Sequence, residues 1–194
     1  MIWPVRNAAR ITLVDPATAS QAIDDAFKSI PSINVFRALA NAETLFPAYM
    51  EYVTLLFKPM ELDSALERMI VLHVAEVSQC FYAWRQNVIV AKSVGVSQEQ
   101  LDALQLGDIA AHCFRDDQKA AFRFTDEVMQ LIEVTDTTYT DTKRFFSDRA
   151  ITEMLYVVGT YMFLVRLLRT GRVSLDDKPA DAPALSEHSQ SAIP

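Results

Sequence analysis

The sequence predicts an all-α protein, on three observations. Only four glycines occur in 194 residues (Gly95, Gly107, Gly159 and Gly171), too few for a series of hairpins. Apolar residues recur at three- and four-residue steps through most of the chain, which is the helical period. No segment alternates apolar and polar residues between turn signals, as a strand would.

In order along the chain, residues 1–17 are expected to form an extended arm. The stretch ATASQAIDDAFKSI then offers Thr18 or Ser20 as a cap, with Ala22, Ile23, Ala26, Phe27 and Ile30 on one face, and Pro31 closes it. INVFRALANAETLFPAYMEYVTLLF supplies two more helices, the second with Pro47 in its first turn, where proline is tolerated. KPM connects to ELDSALERMIVLHVAEVS, whose acidic start suits a helix N-terminus. There Leu62, Leu66, Met69, Ile70, His73, Val74 and Val77 mark one broad buried face.

A further helix is expected from about Cys80 to Ser93, ending at Gly95 in the left-handed conformation. VSQEQLDAL opens as a capping box, Ser97 with Gln100. DDQKAAFRFTDEVMQLIEV and SDRAITEMLYVVGTYMFLVRLLRTG give two long helices, separated by the threonine-rich turn TDTTYTDT and a short helix to Phe146. From Val173 the apolar content falls away, so residues 173–194 are expected to be a flexible tail. The organisation is thus one domain of roughly eight helices over residues 18–172, consistent with a chain long enough to bury one core.

The balance of charge is −7 with an isoelectric point near 4.9, and no basic patch exists to displace counterions from phosphates. Nucleic acid is therefore not an expected partner. The most apolar segment, Met154 to Leu168, is shorter than the ~20 residues of a membrane span and carries Arg166, so it reads as a core helix and no membrane partner is expected. MIWPVRNAARITLVDP develops no apolar run of the signal type. Two cysteines in a chain of this length fit a reducing compartment, and the cytoplasm is the expected location. Three histidines, His73, His112 and His188, are too few for a closed zinc site. His112 and Cys113, as neighbours on a helix, would point apart. Neither a metal nor another cofactor is expected, since no phosphate loop, serine elbow or dinucleotide fingerprint occurs.

One ordered set of residues resembles a known family. LDSALERMIVLHVAEVSQCFYAW, followed by VIVAKSVGVSQEQLDAL, is similar to the core of the carboxymuconolactone decarboxylase and alkylhydroperoxidase D-like proteins. FRFTDEV and FFSDRAITEMLYVVGTYMFLVRLL resemble the downstream helices of longer members, and INVFRALANAETLFPAYMEY their N-terminal pair. The likeness covers roughly residues 30 to 175 and implies an all-helical fold that assembles as a homo-oligomer, whether dimer, trimer or hexamer.

The resemblance also implies where chemistry would sit. Redox members carry a Cys-x-x-Cys pair at a helix start, a histidine four residues after the second cysteine and a glutamate about twelve before the first. A thiolate attacks, a second thiol resolves, and the other two groups shuttle the proton. Here Cys80 matches the first cysteine, but Ala83, Asn87 and Arg68 stand at the other three positions, with Glu67 beside Arg68. Decarboxylase members lack the cysteines and keep the histidine, which is absent here as well.

The candidate catalytic residues are accordingly Cys80, Tyr82 and Glu76, and the candidate substrate-binding residues Arg68, Asn87 and Trp84. Each also has a plain structural role open to it. Cys80 sits at a helix start that favours a thiolate, with Arg68 as a cation to lower the thiol pKa, or it fills space in a core. Arg68 fits a substrate carboxylate bidentately, or pairs on the surface with Glu67 or Asp63. Asn87 suits a carbonyl, Tyr82 and Trp84 a pocket wall or the core, and Glu76 a general base or a helix-end ion pair. His73, Glu76 and Cys80 at i, i+3 and i+7 form a further, less favoured constellation.

Two kinds of function follow. One is an enzyme acting on a small organic acid or carbonyl compound by decarboxylation, isomerisation or cyclisation, with a small molecule as its partner. The other is a thiol-dependent peroxidase using Cys80, or a non-catalytic oligomeric relative.

Overall fold

The computed structural model describes residues 8–177. The first part of the expected arm, most of the expected tail and His188 lie outside the described residues. Within them the chain forms a 3-10 turn (Pro16–Thr18) and nine α-helices: α1 (Gln21–Phe27), α2 (Asn34–Leu39), α3 (Phe46–Leu55), α4 (Ser64–Val77), α5 (Phe81–Ser93), α6 (Gln98–Gln105), α7 (Asp116–Gln130), α8 (Asp136–Lys143) and α9 (Asp148–Gly171). No strand occurs among the described residues.

The helices fall into two compact units, the larger formed by residues 60–165 and the smaller, among the described residues, by 8–59 and 166–177. In the smaller unit Ile23, Phe36, Phe46 and Met50 are buried, and Phe27 and Phe46 pack 5.1 Å apart between ring centres. The arm is tied in by main-chain bonds, Val14 N–H to Arg37 O at 3.1 Å and Arg10 N–H to Gly171 O at 2.8 Å. Asp176 accepts from the Asn34 N–H at 2.7 Å, supplying one of the partners that a helix N-terminus lacks.

The larger unit is organised around α4, against which α5, α6 and α7 pack. Asp63 caps it, its carboxylate accepting from Leu66 N–H at 2.9 Å. The periodicity predicted one buried face. In the structure every residue from Leu66 to Glu76 is buried, including Glu67, Arg68, His73 and Glu76. A helix enclosed on all sides must satisfy its polar groups inside the protein.

Further elements follow their local chemistry. Gly95 takes φ +94° and Ser97 closes a full capping box with Gln100. The threonine-rich segment, predicted as a turn, is itself helix α8. Thr135 caps it, Thr142 Oγ1 donates to Thr138 O at 2.7 Å, and Glu127 of α7 accepts from Thr138 Oγ1 at 2.6 Å. Those partners absorb the hydroxyls that otherwise compete with helix. His112 and Cys113 lie in the α6–α7 connection rather than on a helix.

Helix α9, at 24 residues, exceeds the apolar segment read from sequence and is long and apolar enough to cross a bilayer by length and composition. Half of its apolar window is buried in the protein, with Met154, Val157, Val158 and Val165 in the core. Glu153 of α9 accepts from Leu62 N–H at 2.9 Å, just before α4.

Replacing the α6 cap, Ser97→Ala, is expected to cost about 1 kcal/mol by loss of the side-chain bond to Gln100 N–H. A lowered urea midpoint with unchanged m-value would report it.

Candidate functional site

Helix α4 ends in a tight turn that sets up Cys80. Gln79 adopts φ +50°, the left-handed conformation usually given to glycine, and Cys80 N–H donates to Ala75 O at 2.8 Å. Cys80 then becomes the N-cap residue of α5, its carbonyl accepting from Trp84 N–H at 3.1 Å. The thiol is reduced and buried, as are Tyr82 and Trp84 in the first turn of α5. Cys80, Ala83, Trp84 and Asn87 follow one another at three- and four-residue steps and so share a face of α5.

Two turns along that face, Asn87 meets Arg68. The guanidinium of Arg68 is gripped by its neighbour Glu67, Nε to Oε2 at 2.9 Å and Nη2 to Oε1 at 2.5 Å. Its Nη1 donates to Asn87 Oδ1 at 3.4 Å and to the Tyr161 hydroxyl of α9 at 3.3 Å. Tyr161 in turn donates to Asn87 Oδ1 at 3.0 Å, and Asn87 Nδ2 to Ala83 O at 2.8 Å. All four side chains are buried.

This geometry modifies the role expected of Arg68. The pair with Glu67 exists, but inside the protein rather than on its surface. The fork that a substrate carboxylate would occupy is filled by Glu67. Arg68 also bonds to α5 at Asn87, roughly 10 Å along the helix from Cys80, and its charge is balanced there.

Burial opposes the positive charge of Arg68, but Tyr161 and Glu67 outweigh it and hold the guanidinium protonated. Burial pushes the Glu67 carboxyl up, and Arg68 draws it part of the way back. Burial likewise raises the Tyr161 phenol against the pull of Arg68, so Tyr161 is a proton donor at neutral pH. Tyr161 was not singled out from sequence. Its one signal there is a hydroxyl on the buried stripe of α9, among Met154, Val157, Val158, Leu164 and Val165.

Five residues after Arg68, and so about 140° around α4, stands a second polar cluster. His73 is buried, its Nε2 2.7 Å from Asp126 Oδ1 of α7, with the Phe122 ring 5.5 Å away. Its Nδ1 is buried without a hydrogen-bond partner among the described residues. Glu76 is buried one turn on, its Oε1 accepting from Gln79 Nε2 at 3.3 Å. Burial pushes its carboxyl up, His73 opposes this and Asp126 reinforces it. Asp126 could not be found from sequence, because nothing links positions 53 residues apart. No group of three or more His, Cys, Asp or Glu among the described residues is arranged to hold a metal ion.

Two outcomes are expected. Arg68→Met leaves Glu67 buried without its partner and should cost about 3–5 kcal/mol, whereas changing both residues to apolar ones of similar volume recovers most of that loss. Chemical denaturation of the single and double variants measures both. For Glu76 the folded-state pKa lies above the unfolded one, so its contribution is present at acid pH and is lost as pH rises through the folded value. Glu76→Gln should therefore gain stability over the parent at pH 7 and little near pH 4, read from melting curves at the two pH values.

No family model and no curated protein matches the sequence. Among solved structures, the chain is similar to an alkylhydroperoxidase AhpD core, an uncharacterised peroxidase-related protein from Ralstonia eutropha JMP134 (TM-score 0.75, 19% identity, 90% of this chain and 94% of that one). It is similar also to a peroxidase-related protein from Silicibacter sp. TM1040 (TM-score 0.74, 16% identity, 90% and 96%). A third is the debrominase Bmp8 in its apo form (TM-score 0.70, 16% identity, 92% and 97%). At such identities the likeness is one of fold, and the chain has the alkylhydroperoxidase D-like helical fold.

Proposed function

We propose that the protein is an enzyme of the carboxymuconolactone decarboxylase type that acts on a small carbonyl compound or organic acid without a redox thiol pair. The observation that carries this reading is the buried convergence of Arg68, Asn87 and Tyr161. Arg68 and Asn87 stand where the family resemblance puts the proton-shuttling glutamate and histidine. The fork of Arg68 is closed by Glu67, so the group recognised is a neutral or developing oxygen rather than a carboxylate.

The chemistry follows from the hydrogen bonds. Rotation of the Tyr161 O–H from Asn87 Oδ1 to a substrate carbonyl oxygen supplies a proton donor where enolate charge develops. Arg68 Nη1 remains on the tyrosine oxygen and stabilises the phenolate left behind. Decarboxylation, isomerisation and cyclisation all use such a donor. A second reading, a thiol-dependent peroxidase using Cys80, is favoured by the position of Cys80 at the start of α5 and by the peroxidase-related fold neighbours. Two free thiols suit a reducing, cytoplasmic setting.

A panel of small keto acids and unsaturated lactones, followed by mass spectrometry, tests the first reading. Turnover should fall at least a hundredfold in Tyr161→Phe and persist in Cys80→Ser. The opposite ranking, with hydroperoxide consumed, supports the thiol reading. Inertness towards both panels supports a non-catalytic relative.

Self-association belongs to the same proposal. Leu155, Tyr156 and Phe163 are exposed on one side of α9, with Gly159 between them. Light scattering should give a dimer, trimer or hexamer at micromolar concentration, and Phe163→Glu should shift it towards monomer.

A further inference from the structure

We propose that the cleft between α1 and α3 is a binding site for a small primary amine, its ammonium held by Asp25 and Glu51 and its apolar stem laid against Ile30 and Met50. The cleft lies wholly within the smaller unit, and the reading is independent of the carbonyl chemistry above.

The cleft follows from the residues on the two facing helices. Side chains at three- and four-residue steps share one side of a helix. On α1 and the turn after it that side presents Ala22, Asp25, Ala26 and Ser29, while α3 answers with Met50, Glu51 and Thr54. The two alanines are too small to reach across to α3. They leave a cleft of about 400 Å³, within the roughly 300–1,000 Å³ of small-molecule sites. Ile30 and Met50 are the buried side chains of its lining and make an apolar base.

Every polar side chain in the lining is an acceptor. Ser29 Oγ donates its one proton to Ala26 O at 3.1 Å, and Thr54 Oγ1 donates to Glu51 O at 2.7 Å. Both hydroxyls thus keep lone pairs and have no proton left to offer. Asp25 takes Gln21 Nε2 at 2.9 Å and Lys28 Nζ at 2.6 Å on the same oxygen, Oδ1, which leaves Oδ2 to accept from elsewhere.

The balance of charge has the same sign. The charged residues of α1, its C-cap and α3 are Asp24, Asp25, Lys28 and Glu51. The single ammonium of Lys28 is shared, 3.2 Å from Asp24 and 2.6 Å from Asp25. Glu51 is exposed and forms no ion pair among the described residues. Acceptors without donors, negative charge and an apolar base together define the ligand. A carboxylate would be repelled and a neutral alcohol would leave most acceptors unpaired, while a bare metal ion would leave the apolar base uncovered. A primary ammonium brings three N–H donors and a positive charge, and its bonds to carboxylates are of the stronger, charge-assisted kind.

The test titrates hexylamine, protonated at pH 7, into the full chain and follows its saturation-transfer NMR signal. Hexanol, hexanoate and hexyltrimethylammonium serve as comparisons. Hexylamine should saturate with a Kd at or below about 1 mM. Hexyltrimethylammonium, which keeps the charge but has no N–H donor, should bind about fivefold more weakly or worse, and hexanol and hexanoate should not saturate in that range. Asp25→Asn and Glu51→Gln alter exposed side chains, so both variants should fold, as circular dichroism would verify. Each should raise the Kd about threefold or more, and the double variant about tenfold. Ala26→Met, which fills the cleft, should abolish binding, whereas Glu133→Gln, outside it, should leave the Kd unchanged. If Ala26→Met does not fold, the carboxylate variants decide the matter. Absence of saturation by hexylamine overturns the site, as does a Kd unchanged in the double variant. Hexanol binding as well as hexylamine also overturns it, since the cleft is then an unselective apolar groove.

Discussion

The rest of the larger unit depends on the burial of α4 on all sides from Leu66 to Glu76. A helix covered on every side is normally apolar all round, yet this one carries Glu67, Arg68, His73 and Glu76 in its buried stretch. Each must find a partner on a neighbouring helix or beside it, or remain unsatisfied at a cost of about 1–3 kcal/mol. That requirement explains the placement of otherwise unrelated residues. Asn87 on α5, Tyr161 on α9 and Asp126 on α7 each meet a charged residue of α4.

The two clusters solve the problem differently. Around Arg68 the accounting is nearly closed: a bidentate ion pair, then an amide and a phenol taking the remaining edge. Such a network is rigid, because breaking any member exposes a charge to a medium that solvates it poorly. Around His73 the set is open, with two carboxyls, one imidazole and one nitrogen unpaired among the described residues. A closed network positions a hydroxyl, as at Tyr161. The contrast arises within a single helix.

How much of this is legible in sequence depends on the range of the interaction that decides it. The cap at Ser97, the left-handed Gly95 and the proline in the first turn of α3 are fixed by neighbours within a few residues, and the structure has them where the sequence put them. The pairing of positions 68 and 87 was implied only by family resemblance, and those two side chains do meet. What the sequence hid were long-range partners: Tyr161 lies 93 residues from Arg68, and Asp126 lies 53 from His73. Helix α8 was misread for a related reason, since its threonines lose their preference for turns only when Glu127 of another helix accepts from them. The apolar pattern of α4 showed one face because charged residues interrupt it, and full burial becomes visible only with their partners in place.

Cys80 holds the junction of α4 and α5. Its place is set by the backbone: α4 closes through the main-chain bond from Cys80 N–H to Ala75 O, and α5 begins on the Cys80 carbonyl. None of that requires sulfur. A left-handed Gln79, which costs about 1 kcal/mol relative to glycine, makes contacts that glycine could not, through its amide to the carbonyl and carboxyl of Glu76. The side chain thus couples the turn to the open cluster, while Asn87 couples the same face of α5 to the closed one. Arg68 is neutralised by its own neighbour Glu67, and His73, paired with Asp126, lies about 140° further round α4.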